Sequence, residues 1–80
     1  MEYYPNDLRR LRERAGLKQT EVAAALGLAS HDRISHWERG QAIPSLENLF
    51  KLAAAYGVFP HDLYPEAWGK VSGGRARAED

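Results

Sequence analysis

Two short helical patterns separated by a glycine turn occupy residues 19–40, QTEVAAALGLASHDRISHWERG. In the first pattern, from about residue 19 to residue 26, Val22, Ala23 and Leu26 lie on one narrow stripe of a helix. Gly27 follows directly, and a glycine in the left-handed conformation commonly ends a helix. We therefore predict a thin helix that ends in a tight turn.

The second pattern, from His31 to Arg39, is apolar on one face only. Its large apolar residues are Ile34 and Trp37, which are three positions apart and share a helix face. Ser30 can cap this helix, and Gly40 is expected to stop it. A helix built in this way is held on one side by the core and presents polar side chains on the other.

Further helices are predicted on both sides of this segment. The first runs from Asn6 to Ala15, with Asn6 as its cap and Leu8 and Leu11 on its apolar face. The longest helix follows the capping residue Ser45 and has apolar residues at every helical position. These residues are Leu46, Leu49, Phe50, Ala53 and Tyr56.

These patterns predict an all-α fold, a compact bundle of four to five short helices with a central helix-turn-helix. A short last turn is predicted over residues 61–64, and the domain extends over residues 6–64. Residues 1–5 are expected to form an N-terminal arm. Residues 65–80 are rich in glycine and charge and are expected to form a flexible tail.

Length and composition limit the chain to one small domain. It has 80 residues, of which 44 % are hydrophobic and 28 % charged, as in ordinary globular proteins. Without cysteine it has neither disulfides nor a thiolate zinc site. No apolar stretch approaches the ~20 residues that span a bilayer, and the N-terminal residues do not resemble an export signal. We therefore expect a cytoplasmic protein.

Few residues of the chain suit catalysis. His31 and His36 are five positions apart, so they point about 140° away from each other on a helix and do not suit one metal ion. The chain has no cysteine nucleophile, no glycine loop that would cradle a phosphate and no paired carboxylates on one helix face. We expect no enzymatic activity, and no metal, cofactor or small-molecule ligand.

Motifs spread over four predicted helices are shared with a known family. They are LRERAGLKQ at 11–19, VA at 22–23, LG at 26–27, ISHWERG at 34–40, PSL at 44–46 and, beyond Ala53, YGV at 56–58. With them the chain resembles the lambda-repressor-like (XRE) helix-turn-helix family over about residues 6–64. The resemblance implies sequence-specific binding of double-stranded DNA, with the third helix (about residues 30–39) in the major groove. It also implies a small transcriptional regulator that acts as a repressor.

The resemblance and the chemistry of the third helix together indicate DNA contacts. Gln19 lies where the family has a glutamine that contacts phosphate and an outer base pair. Arg33 can donate to both acceptors of a guanine, and Asp32 can accept from a cytosine or orient Arg33. The candidate base contacts are Gln19, His31, Asp32, Arg33, Ser35 and His36. The candidate phosphate contacts are Lys18, Arg39, Gln41 and the N–H groups at the starts of the second and fourth helices.

Arg12 and Glu38 match the family's ion pair between the first helix and the end of the recognition helix. The resemblance therefore implies a structural tie that holds the recognition helix on the domain. A pair of this kind, when partly buried, is costly to break.

The turn before the third helix departs from the family pattern. Gly27 and Gly40 are thirteen positions apart, one more than is usual in the family. The extra residue is expected among residues 28–32, because Ile34 and Trp37 keep their spacing. The extra residue would shift the first residues of the recognition helix, so their contacts with DNA are the least certain to follow the family pattern.

The charge of the chain bears on how it would bind DNA. The whole chain has 11 basic and 11 acidic residues, but residues 8–40 have seven basic residues and four acidic ones. A locally positive face on a neutral protein favours weak phosphate binding. We expect low non-specific affinity and a modest dependence on salt.

A protein-interaction module is the alternative function. In that case the helix-turn-helix fold would bind another protein, as an antitoxin-like or adaptor subunit, with little or no DNA binding. The longer turn and the zero net charge favour this alternative, whereas the polar face with arginine and histidine favours DNA.

The small size of the domain favours pairing of two copies. One recognition helix covers only about four to five base pairs, so specific binding usually needs two modules. We expect a weak homodimer, or a chain that pairs only on DNA, formed through apolar residues of the C-terminal region. These are Val58, Phe59, Leu63 and Tyr64, with Trp68 as a further candidate. The alternative for these residues is that they close the core, and it is expected to hold for some of them.

Overall fold

The structure, a computed structural model, describes residues 3–73 and contains helices without strands in that range. In chain order the helices are α1 Leu8–Arg14, α2 Gln19–Leu26, α3 Asp32–Glu38, α4 Leu46–Tyr56, α5 Pro60–Leu63 and α6 Pro65–Ser72. The predicted all-α fold is confirmed. None of these helices is long and apolar enough to cross a membrane.

Helix α6 contradicts the prediction of a flexible tail from Pro65 onward and brings the helices of residues 3–73 to six. Pro65 occupies the first turn, where its fixed φ suits a helix. The ring of Trp68 lies against that of His61, with centroids 4.8 Å apart, which attaches α6 to α5. The glycines that suggested a tail begin only at Gly69, in the second half of the helix. Residues 74–80 of the predicted tail lie outside the described residues.

Helix α1 begins at Leu8 with Asp7 at the N-cap position, so Asn6, the predicted cap, lies two residues before the helix. Oδ1 of Asn6 accepts a hydrogen bond from the N–H of Leu8 at 3.0 Å. Its Nδ2 donates to the carbonyl oxygens of Tyr4 (2.9 Å) and Trp37 (3.0 Å). The last carbonyls of a helix lack donors within the helix, and Asn6 supplies one of them with a donor. Through its two ends the side chain therefore joins the start of α1 to the end of α3.

One hydrophobic core holds α1 to α5 together. Its buried residues are Leu8, Leu11, Val22, Ala23, Leu26, Ile34, Trp37, Leu52, Ala53, Tyr56 and Leu63. Helix α3 contributes only Ile34 and Trp37, so it is attached to the core by one face, as its sequence pattern predicts. Helix α6 contributes no buried residue.

The N-terminal arm runs along the C-terminal end of α3. The N–H of Tyr4 donates to the carbonyl oxygen of Gly40 at 2.9 Å. Gly40 has a φ of +75°, and a Cβ there would overlap the ring of Tyr3 and lie 3.0 Å from the carbonyl oxygen of Tyr4. Both the backbone conformation and the close approach of the arm therefore require glycine at this position.

We expect Gly40→Ala to destabilise the fold more than Gly27→Ala. Both glycines have a positive φ, +75° and +77°, where a side chain costs roughly 1–2 kcal/mol. A Cβ at Gly27 meets nothing within 4 Å, so the difference between the two variants measures the contact with the arm. Urea unfolding gives both free energies, and equal losses would contradict the close packing of the arm.

Two tyrosine hydroxyls, those of Tyr56 and Tyr64, are buried with no hydrogen-bond partner among residues 3–73. Burial raises the pKa of Tyr64 to about 12 and also raises the pKa of Tyr56 above its ordinary value. The folded state therefore opposes ionisation of both phenols.

The free energy of unfolding is expected to fall as the pH rises from about 10 to about 12. A tyrosine in the unfolded chain ionises near pH 10, whereas Tyr64 in the fold keeps its proton up to about pH 12. Stability from this group is therefore complete below about pH 10 and is lost through that window. Urea unfolding across the window measures the fall. Tyr64→Phe should reduce it, whereas the exposed control Tyr3→Phe should not; an unchanged profile in Tyr64→Phe would refute the assignment.

Candidate nucleic-acid interface

The turn between α2 and α3 contains the residues among which the extra residue is expected. Helix α2 ends at Gly27, which has a φ of +77°, and residues 28–31 separate it from α3. Oγ of Ser30 accepts a hydrogen bond from the N–H of Asp32 at 3.3 Å. Helix α3 therefore begins at Asp32, later than the predicted start near residue 30, and His31 lies just before it.

Helix α3 presents one polar face to solvent. Asp32, Arg33 and His36 are exposed and lie within about 100° of one another around the helix. Ile34 and Trp37 occupy the opposite side and are buried. Two apolar side chains therefore anchor the helix in the core, while Asp32, Arg33 and His36 face solvent.

The remaining candidate base contacts differ in accessibility. His31 is exposed and lies before the first turn of α3. Ser35 and Gln19 are half-buried, and Nε2 of Gln19 donates to Oε1 of Glu38 at 2.9 Å. The structure therefore leaves His31 on the surface and partly covers Ser35 and Gln19.

Arg33 lies between two surface clefts. The first is lined by Arg33 and residues 27–30 of the turn. The second includes His36 and extends to Ile43 and Ser45 at the start of α4. Arg33 therefore borders both the turn and the cleft that reaches the beginning of α4.

A buried ion pair connects α1 to the end of α3. Nε of Arg12 donates to Oε2 of Glu38 at 2.5 Å, and Nη2 donates to Oε1 at 3.2 Å. Nη1 of Arg12 donates to the carbonyl oxygen of Leu17 at 2.9 Å. The two charged side chains are only 11 % and 4 % exposed. The hydrogen bond to Glu38 raises the pKa of Arg12, so the guanidinium remains charged despite its burial.

Sequence reasoning missed the part that Gln19 takes in this network. The hydrogen bond from Gln19 makes the Glu38 carboxylate an acceptor for two different helices, α1 and α2. No local pattern signals this contact, because the two residues are 19 positions apart. It follows that Gln19 has a structural partner at the position where the family resemblance implies a DNA contact.

The cations of the candidate interface are available for phosphate. Lys18, Arg33 and Arg39 are exposed and make no ion pair within residues 3–73. By contrast, Arg9 and Arg10 of α1 pair with neighbouring acids, at 3.1 Å and 2.8 Å. Gln41, the remaining predicted phosphate contact, is also exposed. Within residues 3–73, Arg14 of α1 and Lys70 of α6 are also exposed cations without an ion pair, so the unpaired positive charges include those of the candidate interface but are not confined to it.

The start of α2 carries an anion from the chain itself. Oε1 of Glu21 accepts a hydrogen bond from the N–H of Lys18 at 2.7 Å. A carboxylate at a helix N-terminus is favoured by the helix dipole. It also occupies one of the backbone donors that were expected to meet a phosphate, and this leaves the Lys18 side chain as the group suited to that contact.

The apolar residues predicted to pair two copies do not form one exposed patch. Leu63 is 0 % exposed, so its assignment to an interface is wrong: α5 uses this side chain to close the core. Val58 and Tyr64 are half-buried and pack against the same core. Phe59 and Trp68 are exposed.

We expect Arg12→Ala to destabilise the fold by several kcal/mol, on the order of 3, because it leaves the buried Glu38 carboxylate without its cation. Arg9→Ala is the matched control, since Arg9 pairs with Glu13 on the surface, where a pair contributes about 0–1 kcal/mol. Thermal and urea unfolding measure both. Similar losses of unfolding free energy in the two variants would show that the buried pair contributes no more to stability than the surface pair.

Comparison with known proteins agrees with this geometry. A family model described as helix-turn-helix matches residues 8–63. The chain is similar to the HTH-type transcriptional regulator DdrOP3 of Deinococcus deserti, with 45 % identity over 56 residues, which are 70 % of this chain and 43 % of that protein. The chain therefore spans less than half the length of this relative.

Two solved structures have similar folds. The restriction-modification controller protein C.AhdI from Aeromonas hydrophila has a TM-score of 0.63 and 40 % identity over 71 % of this chain and 81 % of its own. A hypothetical transcription factor, NHTF from Neisseria, has a TM-score of 0.62 and 32 % identity over 84 % of this chain and 76 % of its own. The match over residues 8–63 shows that the chain belongs to the helix-turn-helix family, of the XRE type.

Proposed function

We propose that this protein binds double-stranded DNA sequence-specifically with α3 in the major groove and acts as a transcriptional repressor. The observation that carries the proposal is the two-sided construction of α3. Ile34 and Trp37 fix one side in the core, while Asp32, Arg33 and His36 are exposed on the other. A helix anchored in this way can enter a groove without disturbing the core.

Each exposed side chain of α3 has a suitable partner on base edges. Arg33 is the strongest candidate, because a guanidinium can donate to both major-groove acceptors of guanine. His36 lies one turn further along the same face and can donate to guanine or phosphate. Asp32 accepts from a cytosine amino group or orients Arg33, and so it contributes selectivity more than affinity. His31 contacts DNA from the turn.

The partly covered residues have narrower roles. Ser35 reaches a base only at the edge of the polar face, because it is half-buried. Gln19 keeps its hydrogen bond to Glu38 while it contacts DNA, so it also fixes the distance between α2 and α3. Lys18, Arg39 and Gln41 hold the phosphate backbone on either side.

The chain acts on DNA in the cytoplasm, bound to the nucleoid, and it does so as a homodimer. One short recognition helix reads too few base pairs for tight specific binding, and a net charge of zero gives little non-specific attraction. Two copies on adjacent half-sites supply the missing contacts.

Selection of bound duplexes from a random library, at about 0.1 M salt or below, tests the proposal. We expect wild-type protein to enrich one motif. Arg33→Ala should lose preference at one base pair, at a cost of about 1–3 kcal/mol, whereas Lys18→Ala should weaken binding to all sequences and lower the salt slope by about one.

Lys70→Ala is the matched control, because Lys70 is an exposed cation on α6, a helix that contributes no residue to the proposed interface. It should leave the motif and the affinity unchanged. Absence of any enriched motif in wild-type protein would reject DNA binding and favour the protein-interaction module. A uniform loss in Arg33→Ala, with the motif preserved, would remove Arg33 from base recognition.

A further inference from the structure

Asn6 makes three hydrogen bonds that serve different parts of the fold. Its Oδ1 accepts from the N–H of Leu8 at 3.0 Å, and its Nδ2 donates to the carbonyl oxygens of Tyr4 at 2.9 Å and Trp37 at 3.0 Å. An asparagine amide has one acceptor oxygen and two donor hydrogens, so both donors of Asn6 have a partner. The start of α1 requires only the acceptor. The two donors serve the N-terminal arm and α3.

The hydrogen bond from Asn6 to Trp37 joins residues that are 31 positions apart. The carbonyl oxygen of Trp37 also accepts from the N–H of Gly40 at 3.0 Å, so the bond from Asn6 is its second. A carbonyl that already has one donor does not require another in order to be satisfied. The contribution of Asn6 is therefore a direct tie between the arm and the last turn of α3.

The backbone on both sides of Asn6 is itself held in place. The N–H of Tyr4 donates to the carbonyl oxygen of Gly40 at 2.9 Å, and the N–H of Asp7 donates to that of Leu63 in α5 at 3.0 Å. The side chain of Asn6 is also half-buried. A residue supported in this way can fix the position of the group that it binds.

The tie lies close to the side chains that are proposed to read bases. His36 directly precedes Trp37, and Arg33 lies about one turn earlier on α3. Arg33 is about 6 Å along the helix axis from Trp37, so a tilt of about 10° at the C-terminal end moves its Cα by about 1 Å. Binding sites require positions held to about 0.5 Å. A guanidinium that donates to both acceptors of a guanine is therefore sensitive to the angle of α3.

The other contacts of α3 leave this angle to be set by directional bonds. Ile34 and Trp37 pack in the core, and apolar packing has no preferred direction. Glu38 ties α3 to α1 through its side chain, whereas Asn6 binds the backbone of the preceding residue. A helix held at one point can turn about that point, and a second tie with a different partner restricts the turn.

From these contacts we infer that Asn6 is a positioning residue for DNA recognition, which sets the angle at which α3 presents Arg33 and His36. The inference rests on the proposed function, because it concerns how α3 reads bases. The role requires no contact between Asn6 and DNA. Asn6 lies before residue 8, where the match to the family model begins.

The ratio of affinities for the duplex enriched by selection and for duplexes with one altered base pair tests the inference. In Asn6→Ser the hydroxyl can still accept from the N–H of Leu8, but it is too short to reach Trp37, and the charge is unchanged. The ratio at the base pair read by Arg33 should fall about three- to tenfold, the effect of one ordinary hydrogen bond.

Asn6→Asp tests the donor in a side chain of the same shape. The carboxylate keeps the acceptor for Leu8 and loses both donors, so the ratio should fall as it does in Asn6→Ser. Lys70→Ala makes the same change in net charge on α6 and should leave the ratio unchanged.

Gly57→Ala controls for a general loss of stability. Gly57 has a φ of +70°, where a side chain is strained, and a Cβ there meets nothing within 4 Å. It lies at the end of α4, so the substitution should lower the free energy of unfolding without changing the base-pair ratio. Urea unfolding compares the stability of this variant with that of Asn6→Ser.

Hydrogen exchange of the free protein tests the tie without DNA. The N–H groups of Arg39, Gly40 and Gln41 donate to the last carbonyl oxygens of α3. In Asn6→Ser their exchange should accelerate at least about threefold relative to that of N–H groups in α4. In Gly57→Ala it should not accelerate relative to α4.

An unchanged base-pair ratio in Asn6→Ser, with or without a uniform loss of affinity, would overturn the inference. An equal fall in Gly57→Ala would do the same, since it would assign the effect to stability alone. Wild-type protein that enriches no motif would reject the proposed function and, with it, the role of Asn6 in reading DNA. Faster exchange at the end of α3 in Asn6→Ser would then identify the tie as purely structural.

Discussion

The buried ion pair between Arg12 and Glu38 determines where the recognition helix lies. Two charged groups removed from water are costly, and the cost is offset only when every hydrogen-bonding group finds a partner. Here the guanidinium also donates to Leu17, and the carboxylate also accepts from Gln19. One carboxylate at the end of α3 is thus held by α1 and α2 together, which fixes the position of α3 more sharply than apolar contacts do.

The two ends of α3 are held differently. At its C-terminal end, carbonyl oxygens accept from Asn6 and Tyr4, and Glu38 is buried. At its N-terminal end the hydrogen bond from Asp32 to Ser30 is exposed, and residues 28–31 separate the helix from α2. The C-terminal end of α3 is therefore tied to α1, α2 and the N-terminal arm, whereas the hydrogen bond at its N-terminal end lies on the surface.

The local parts of this fold could be predicted from the sequence, and the long-range parts could not. Apolar spacing and helix-ending glycines predict α1 to α5, because both are properties of neighbouring residues. Helix α6 escaped prediction because its support comes from the stack on His61, a tertiary contact. The burial of Leu63 was missed for the same reason, since an apolar residue in a short turn can face either the core or solvent. On the site, the residue types on α3 could be listed, but the covering of Gln19 by Glu38 could not.

The ion pairs show where the positive charges of this neutral chain are compensated and where they are not. Arg9, Arg10 and Arg12 are neutralised within the domain, whereas Lys18 and Arg33 at the proposed interface have no such partner. A net charge of zero means that non-specific attraction to phosphates is small. Such a protein gains little from DNA of the wrong sequence, so under the proposed function its affinity comes from base contacts and from a second copy. Zero net charge is therefore compatible with a regulator that discriminates well and binds weakly as a single copy.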